Sequence, residues 1–267
     1  MSRIAILYIY HDRAAMCASR LRVLRALNPG VDIYGLYGGP RERRAEFAEV
    51  EALLDDAWAC EYGDGPWRWR NIDKMMDLWY QERGQHRSWS VLFEHQADLL
   101  VTHPISTYTA LLPGPRDMLF YRNPLSFRVL EQHQWPWLSA GLDELRGFMN
   151  HLHTRYGSDE AFCGQNIFFT IASRSFFEEF IGQIFPIPGV VEYRSPSLAR
   201  AAGYRLVDYR PPQADVDCMS FAKGHQPLER VLSEIGSATG ARMFHRVIDA
   251  VEPEQITALL EAATRAC

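Results

Sequence analysis

Apolar runs alternate with amphipathic stretches through the first hundred residues. Ile4–Tyr10 is an unbroken apolar run that stops at His11-Asp12-Arg13, the pattern of a buried strand. Ala14–Leu27 carries Leu21, Leu24 and Leu27 at helical spacing and ends on Asn28-Pro29-Gly30, a stop signal. Val31–Tyr37 is a second strand, closed by Gly38-Gly39-Pro40, and Arg41–Leu54 puts Phe47, Val50 and Leu54 on one face of an amphipathic helix. A short strand at Trp58–Tyr62, a helix at Asn71–Arg83 and a strand at Trp89–Phe93 continue the series. Strand and helix in this rhythm predict a parallel sheet with helices on both faces.

Beyond Thr109 the rhythm breaks at Leu111-Leu-Pro-Gly-Pro115. The pattern predicts strands at Met118–Tyr121 and Tyr204–Tyr209, and a strand or buried helix start at Gln165–Thr170. It predicts helices at Leu125–Gln132, Leu142–Tyr156, Ser175–Phe185, Leu228–Ile235 and Arg242–Ala250, with a last one from Glu254. No linker, repeat or low-complexity tract interrupts the chain. The expectation is one large α/β domain with two halves, 1–110 and 111–267.

The 267 residues are enough for a substantial core, with 47% hydrophobic and 23% charged positions, as in soluble enzymes. A net charge of −5 disfavours a nucleic-acid backbone as partner. Five scattered cysteines without Cys-x-x-Cys spacing suggest neither a zinc knuckle nor a disulfide framework, and a reducing cytoplasm fits them. No apolar stretch approaches a membrane span, so any membrane contact is peripheral. Lysine occurs only at Lys74 and Lys223, a bias toward arginine that suggests a GC-rich bacterial genome. Neither Gly-x-Gly-x-x-Gly nor a Walker lysine loop is present, which disfavours dinucleotide dehydrogenases and P-loop enzymes.

Four polar clusters are candidates for chemistry. His11, Asp12 and Arg13 follow the first strand, where a doubly wound sheet binds its ligand; alternatively Asp12 caps the next helix. Glu94, His95, Gln96 and Asp98 lie between two apolar runs, Val91–Phe93 and Leu99–Val101, either at the carboxyl end of a strand or in an ordinary polar turn. Ser158-Asp159-Glu160 precedes an apolar run, as an acidic pair or as a helix start. Asp215 to Pro227 forms the last cluster, with Lys223 and His225 in a glycine-containing loop, either a ligand loop or an ordinary solvated one.

Together these clusters resemble bacterial GT-A glycosyltransferases, which have a Rossmann-like mixed sheet flanked by helices. Gln96-Ala97-Asp98 stands where that family usually has Asp-x-Asp, and keeps the last acidic position. The resemblance implies transfer of a sugar from a nucleotide diphosphate sugar to a hydroxyl acceptor. The first half would bind the donor and the second half the acceptor. Asp98 and His225 would hold a divalent cation, Mn²⁺ or Mg²⁺. His11, Asp12, Arg13, Arg70, Asn71, Asp73, Lys74, Glu94, Gln96 and Lys223 would contact the nucleotide sugar; Asn71 and Asp73 could equally just open their helix. Asp159 or Glu160 would take the acceptor's proton if the enzyme inverts. Two other classes stay open: a nucleotide-sugar or glycan-binding protein without catalysis, and a metal-dependent hydrolase, although no compact His/Asp cluster exists for the latter.

Overall fold

The structure is a computed structural model that describes residues 3–109, 114–121, 125–126, 142–163, 169–209, 226–235 and 243–265. Seven strands form one sheet in the order β10-β6-β9-β4-β1-β2-β3. They are β1 (Ile4–Tyr10), β2 (Asp32–Tyr37), β3 (Asp56–Ala59), β4 (Val91–Gln96), β6 (Asp117–Tyr121), β9 (Phe169–Ser173) and β10 (Arg205–Tyr209). β1, β2 and β3 pair in parallel, as do β6 and β10, while β6 and β9 are antiparallel. The sheet is therefore mixed, and helices flank it.

The chain divides into two compact units, each drawn from three stretches of the sequence. The first unit comprises Ile4–Glu61, Phe93–Ala110 and Pro211–Cys267. In β1 every residue from Ala5 to Tyr10 is buried, which is the signature of a strand covered on both faces. Helix α1 (Ala14–Leu27) packs one side of this unit. Its Val23 joins a cluster of Leu100, Val231, Phe244, Val247, Val251 and Leu259. That cluster draws in the helices Leu228–Ile235 and Pro253–Arg265 and a small ribbon of β5 (Leu100–Val101) with β11 (Met243–Phe244).

The second unit comprises Met1–Arg3, Tyr62–Leu92 and Leu111–Arg210. Its helices include α3 (Gly65–Arg70), α4 (Ile72–Glu82), and the helices Leu142–Tyr156, Arg174–Phe180 and Val191–Ala201. An aromatic core runs through Trp79, Tyr80, Trp89 and Phe177, with Trp89 edge-on to Phe177 at 5.4 Å between ring centres.

Several elements differ from the sequence expectation. Arg41–Leu54 is a 3-10 helix, Arg41–Phe47, followed by a short α-helix, Ala48–Ala52, because only Phe47 and Val50 are buried there. The third strand comes earlier, at Asp56–Ala59, with Trp58 in register with Leu36. Leu125–Ser126 is a strand paired with Phe162–Cys163 rather than a helix start; 127–132 lies outside the described residues. The helix Val191–Ala201 went unread because Pro196 sits inside it. The expected helix Arg242–Ala250 is instead β11 and an extended strap, whose backbone groups are taken by Asp98, Ser19 and Arg20. Gln165, Asn166, Lys223 and His225 fall outside the described residues.

Candidate functional site

The first unit gathers its polar groups where β1, β2 and β4 end. Ser90 and Val91 donate their N–H groups to Arg3 O, and Ala97 N–H bonds Ile9 O, six residues further on, so β1 and β4 run in the same direction. Gly38 N–H bonds Tyr10 O, which brings the exit of β2 to the same edge. A Cβ on Gly39 would lie 2.7 Å from His11 O, so this close approach requires glycine. This carboxyl edge is where parallel sheets leave room for ligands.

The loop after β1 is exposed at His11, Asp12 and Arg13. Arg13 has φ 54 and ψ 71, the left-handed region, which costs roughly 1 kcal/mol for a residue with a side chain. Asp12 does not cap α1: its carboxylate accepts the N–H of Arg13 at 2.9 Å, too early in the chain to reach the second or third helical N–H. Asp12 also lies 3.7 Å from Arg43 and 3.8 Å from the Arg13 guanidinium.

β4 runs through Gln96, so Glu94 and His95 belong to the strand rather than to a surface turn. Glu94 is 3% exposed and His95 is fully buried, its ring 5.7 Å from Tyr8 and 6.0 Å from Phe93. Burial, and then the Arg20 cation, push the His95 imidazole down to about 3, which keeps it neutral. Gln96 and Asp98 are the partly exposed members of the expected cluster.

Asp98 is the focus of this edge. Its Oδ2 accepts from Arg246 Nε at 3.2 Å and lies 3.7 Å from His245 Nε2. Its backbone oxygen accepts Val247 N–H at 2.9 Å, and Gln226 N–H bonds Arg246 O at 2.8 Å. Helix α1 holds the strap from behind. Arg20 donates to Val247 O at 3.2 Å and Asp249 O at 2.9 Å, and Ser19 Oγ accepts Val251 N–H at 3.0 Å. Arg20 is 1% exposed, and burial pushes its guanidinium down to about 10. His245 and Arg246 were missed in the sequence because their partner lies 148 positions away for Arg246; the β5–β11 pairing brings them together.

The second unit holds the other expected contacts, in a different state. Arg194 is fully buried and donates to both oxygens of Asp73, Nε at 2.7 Å and Nη2 to Oδ1. Arg194 also donates to Asn71 Oδ1 at 3.1 Å, and Ser195 donates to Asp73 at 3.1 Å. Asn71 makes no cap; its amide donates back to Trp67 O, and Asp64 caps α3 instead. Arg70 pairs with Glu144. Lys74 is half-buried, 5.8 Å above the Phe185 ring, and burial followed by Arg194 lowers its amine to about 8. Burial raises the Glu192 carboxyl to about 7. Asp159 and Glu160 do not open a helix; they lie exposed between Leu142–Tyr156 and Phe162–Cys163, with Asp159 2.6 Å from His153 Nδ1.

Among the described residues no group of three His, Cys, Asp or Glu side chains is placed to hold a metal ion, and no helix is long and apolar enough to cross a membrane. No family model matches the chain, and no curated protein matches it. Among solved structures it is similar to galactosyltransferase LgtC in complex with donor and acceptor sugar analogues, at 13% identity and a TM-score of 0.44, over 97% of this chain and 95% of that one. A glycosyltransferase involved in glycosylation of the major capsid of PBCV-1 has 9% identity and a TM-score of 0.44, covering 98% of each chain. The bifunctional glycosyltransferase WbbM has 8% identity and a TM-score of 0.44 over 98% of this chain and 50% of its own.

Proposed function

We propose that the chain is a GT-A-type glycosyltransferase that moves a sugar from a nucleotide diphosphate donor to a hydroxyl acceptor. The observation that carries this reading is Asp98, partly exposed at the carboxyl end of β4 and paired with Arg246 and His245. An anionic donor with vicinal hydroxyls needs both charges at one strand edge: guanidinium groups for phosphate oxygens and carboxylates for hydroxyls. Asp12 and Asp98 supply the carboxylates, and Arg13 and Arg246 the cations.

In this reading the leaving diphosphate gains charge as the glycosidic bond breaks, and the Arg246 guanidinium of the strap stabilises that charge. Held by Arg20, Ser19 and Asp98, the strap has little to reorganise at that moment. Asp159 or Glu160 is assigned as the acceptor base for an inverting reaction; the 2.6 Å contact to His153 gives Asp159 a partner for a proton. Lys223 and His225 belong to the same reading, and Gln226, covalently next to His225, is tied to Arg246. The expected roles of the two halves, donor up to 110 and acceptor beyond, are part of the proposal, as are a cytoplasmic location and a bacterial source.

The expected divalent cation finds a poor donor set among the described residues. Asp98 is the one carboxylate left at the surface of the β4 end, Gln96 is neutral, and Arg246 already bonds Asp98 Oδ2, which leaves Oδ1 and the His245 imidazole at 3.7 Å as the donors nearest to hand. Hard cations want several carboxylate oxygens. That same arrangement favours the second reading, a nucleotide-sugar or glycan-binding protein without turnover. Hydrolysis assays over a panel of nucleotide sugars, with thermal shift by UDP, GDP and dTDP, separate the two. Donor turnover supports the transferase, a thermal shift without turnover supports the binding protein, and neither effect refutes both.

A further inference from the structure

We propose that Arg246 is the resident cation of this site, a guanidinium that carries the donor's diphosphate charge in place of a divalent metal ion. The proposal rests on the reading that the site takes a nucleoside diphosphate. It starts from a mismatch: the residues at the end of β4 suit an arginine better than they suit a metal.

Charge comes first. Asp98 is one carboxylate, and the cations that act on it are Arg246 at 3.2 Å and the buried Arg20; the His245 imidazole, 3.7 Å away, adds charge only when protonated. Among the described residues, a divalent cation approaching Asp98 meets the Arg246 guanidinium on the same oxygen. A diphosphate meets that guanidinium with the Asp98 carboxylate behind it.

Geometry comes second. A guanidinium has five N–H donors in a fixed fork. Arg246 directs its Nε–H at Asp98, while its side chain remains 51% exposed, so the outer part of the fork faces solvent. Asp98 thereby orients the fork as well as neutralising part of its charge. The fork matches two phosphate oxygens in a way that a flexible ammonium does not.

Anchoring comes third. The peptide unit that follows Arg246 is fixed at both of its polar groups, by Gln226 N–H on Arg246 O and by Val247 N–H on Asp98 O. Arg20 and Ser19 tie the next turns of the strap to α1. A cation held this way is present before the ligand arrives. A metal site with one carboxylate would have to be assembled with the ligand.

Calorimetry tests the assignment, using UDP, GDP and dTDP on the full chain, once in EDTA and once in Mn²⁺. The best nucleotide should bind the native protein in EDTA within about twofold of its affinity in Mn²⁺. Arg246→Gln should lose roughly 10- to 100-fold in EDTA, the worth of a charge-assisted pair of hydrogen bonds. Arg246→Lys, which keeps the charge, should recover most of that loss, and melting curves should show both variants folded. Binding of the native protein only with Mn²⁺, or an unchanged affinity of Arg246→Gln in EDTA, overturns the assignment while leaving the donor reading intact. No binding of any of the three nucleotides in either condition overturns the donor reading, and the assignment with it.

Discussion

Two aspartate–arginine pairs sit in the two units of this protein, and they are built for different ends. Asp73–Arg194 is sealed: the arginine is fully buried, the aspartate 5% exposed on its side chain, and Asn71, Ser195 and backbone carbonyls satisfy the remaining donors and acceptors. Asp98–Arg246 is open: the side chains are 22% and 51% exposed, and one hydrogen bond joins them. A sealed pair fixes the junction of α4 with the helix Val191–Ala201. An open pair leaves the exposed side of its arginine available to a ligand. The same residue types thus carry structure in one place and a candidate function in the other, and burial decides which.

The largest effect should come from breaking the sealed pair. Arg194→Met strands the Asp73 carboxylate in the core and should cost roughly 3–5 kcal/mol in denaturant unfolding. Asp73→Asn combined with Arg194→Met should cost less than Arg194→Met alone, since it removes the stranded charge. If Arg194→Met unfolds like the native protein, the distinction between the pairs collapses.

Arg20→Met should come next, at about 2 kcal/mol, from loss of the charge-assisted bonds to Val247 O and Asp249 O. Because those bonds fasten the strap, amide exchange at Arg246–Val251 should quicken more than exchange in β1. Uniform acceleration would mean that Arg20 supports the core and not the strap.

Glu192 gives the sealed region a pH signature. Its folded value of about 7 is above that of an ordinary glutamate, so between roughly pH 4.5 and 7 the folded state holds more proton than the unfolded one. Stability should therefore be greater at the acid end of that window and fall as pH rises through it, by an amount on the order of 2 kcal/mol. Glu192→Gln should remove that part of the slope. An unchanged slope would place the titration elsewhere.

The open pair should show the smallest change in stability. Asp98→Asn should shift unfolding by less than about 1 kcal/mol, as for other partly exposed ion pairs, yet weaken nucleotide binding tenfold or more. Equal small effects on both would leave Asp98 as an ordinary surface residue.

The sequence made local structure legible and long-range pairing opaque. Ile4–Tyr10, Ala14–Leu27, Leu142–Tyr156 and Leu228–Ile235 stand at the expected positions because a helix or strand writes its burial into its own periodicity. Asp98 was legible as a polar residue between two apolar runs. Glu94 and His95 looked like surface groups because charged and imidazole side chains are seldom buried, yet the strand continues through them. Arg194 and Arg246 were not legible as partners, since they meet Asp73 and Asp98 across 121 and 148 positions. Pro196 concealed a helix, and β11 resembled one because two buried residues carry no period.

The central claim is that the donor binds at the open pair and not at the sealed one. Hydrogen exchange on the intact protein, with and without a saturating nucleoside diphosphate, tests it most directly. The account predicts slowed exchange in the loop His11–Arg13 and the first turn of α1, at Ala97–Val101 and along Phe244–Val251. Protection confined to α4 and Val191–Ala201, with those three segments unchanged, would contradict it.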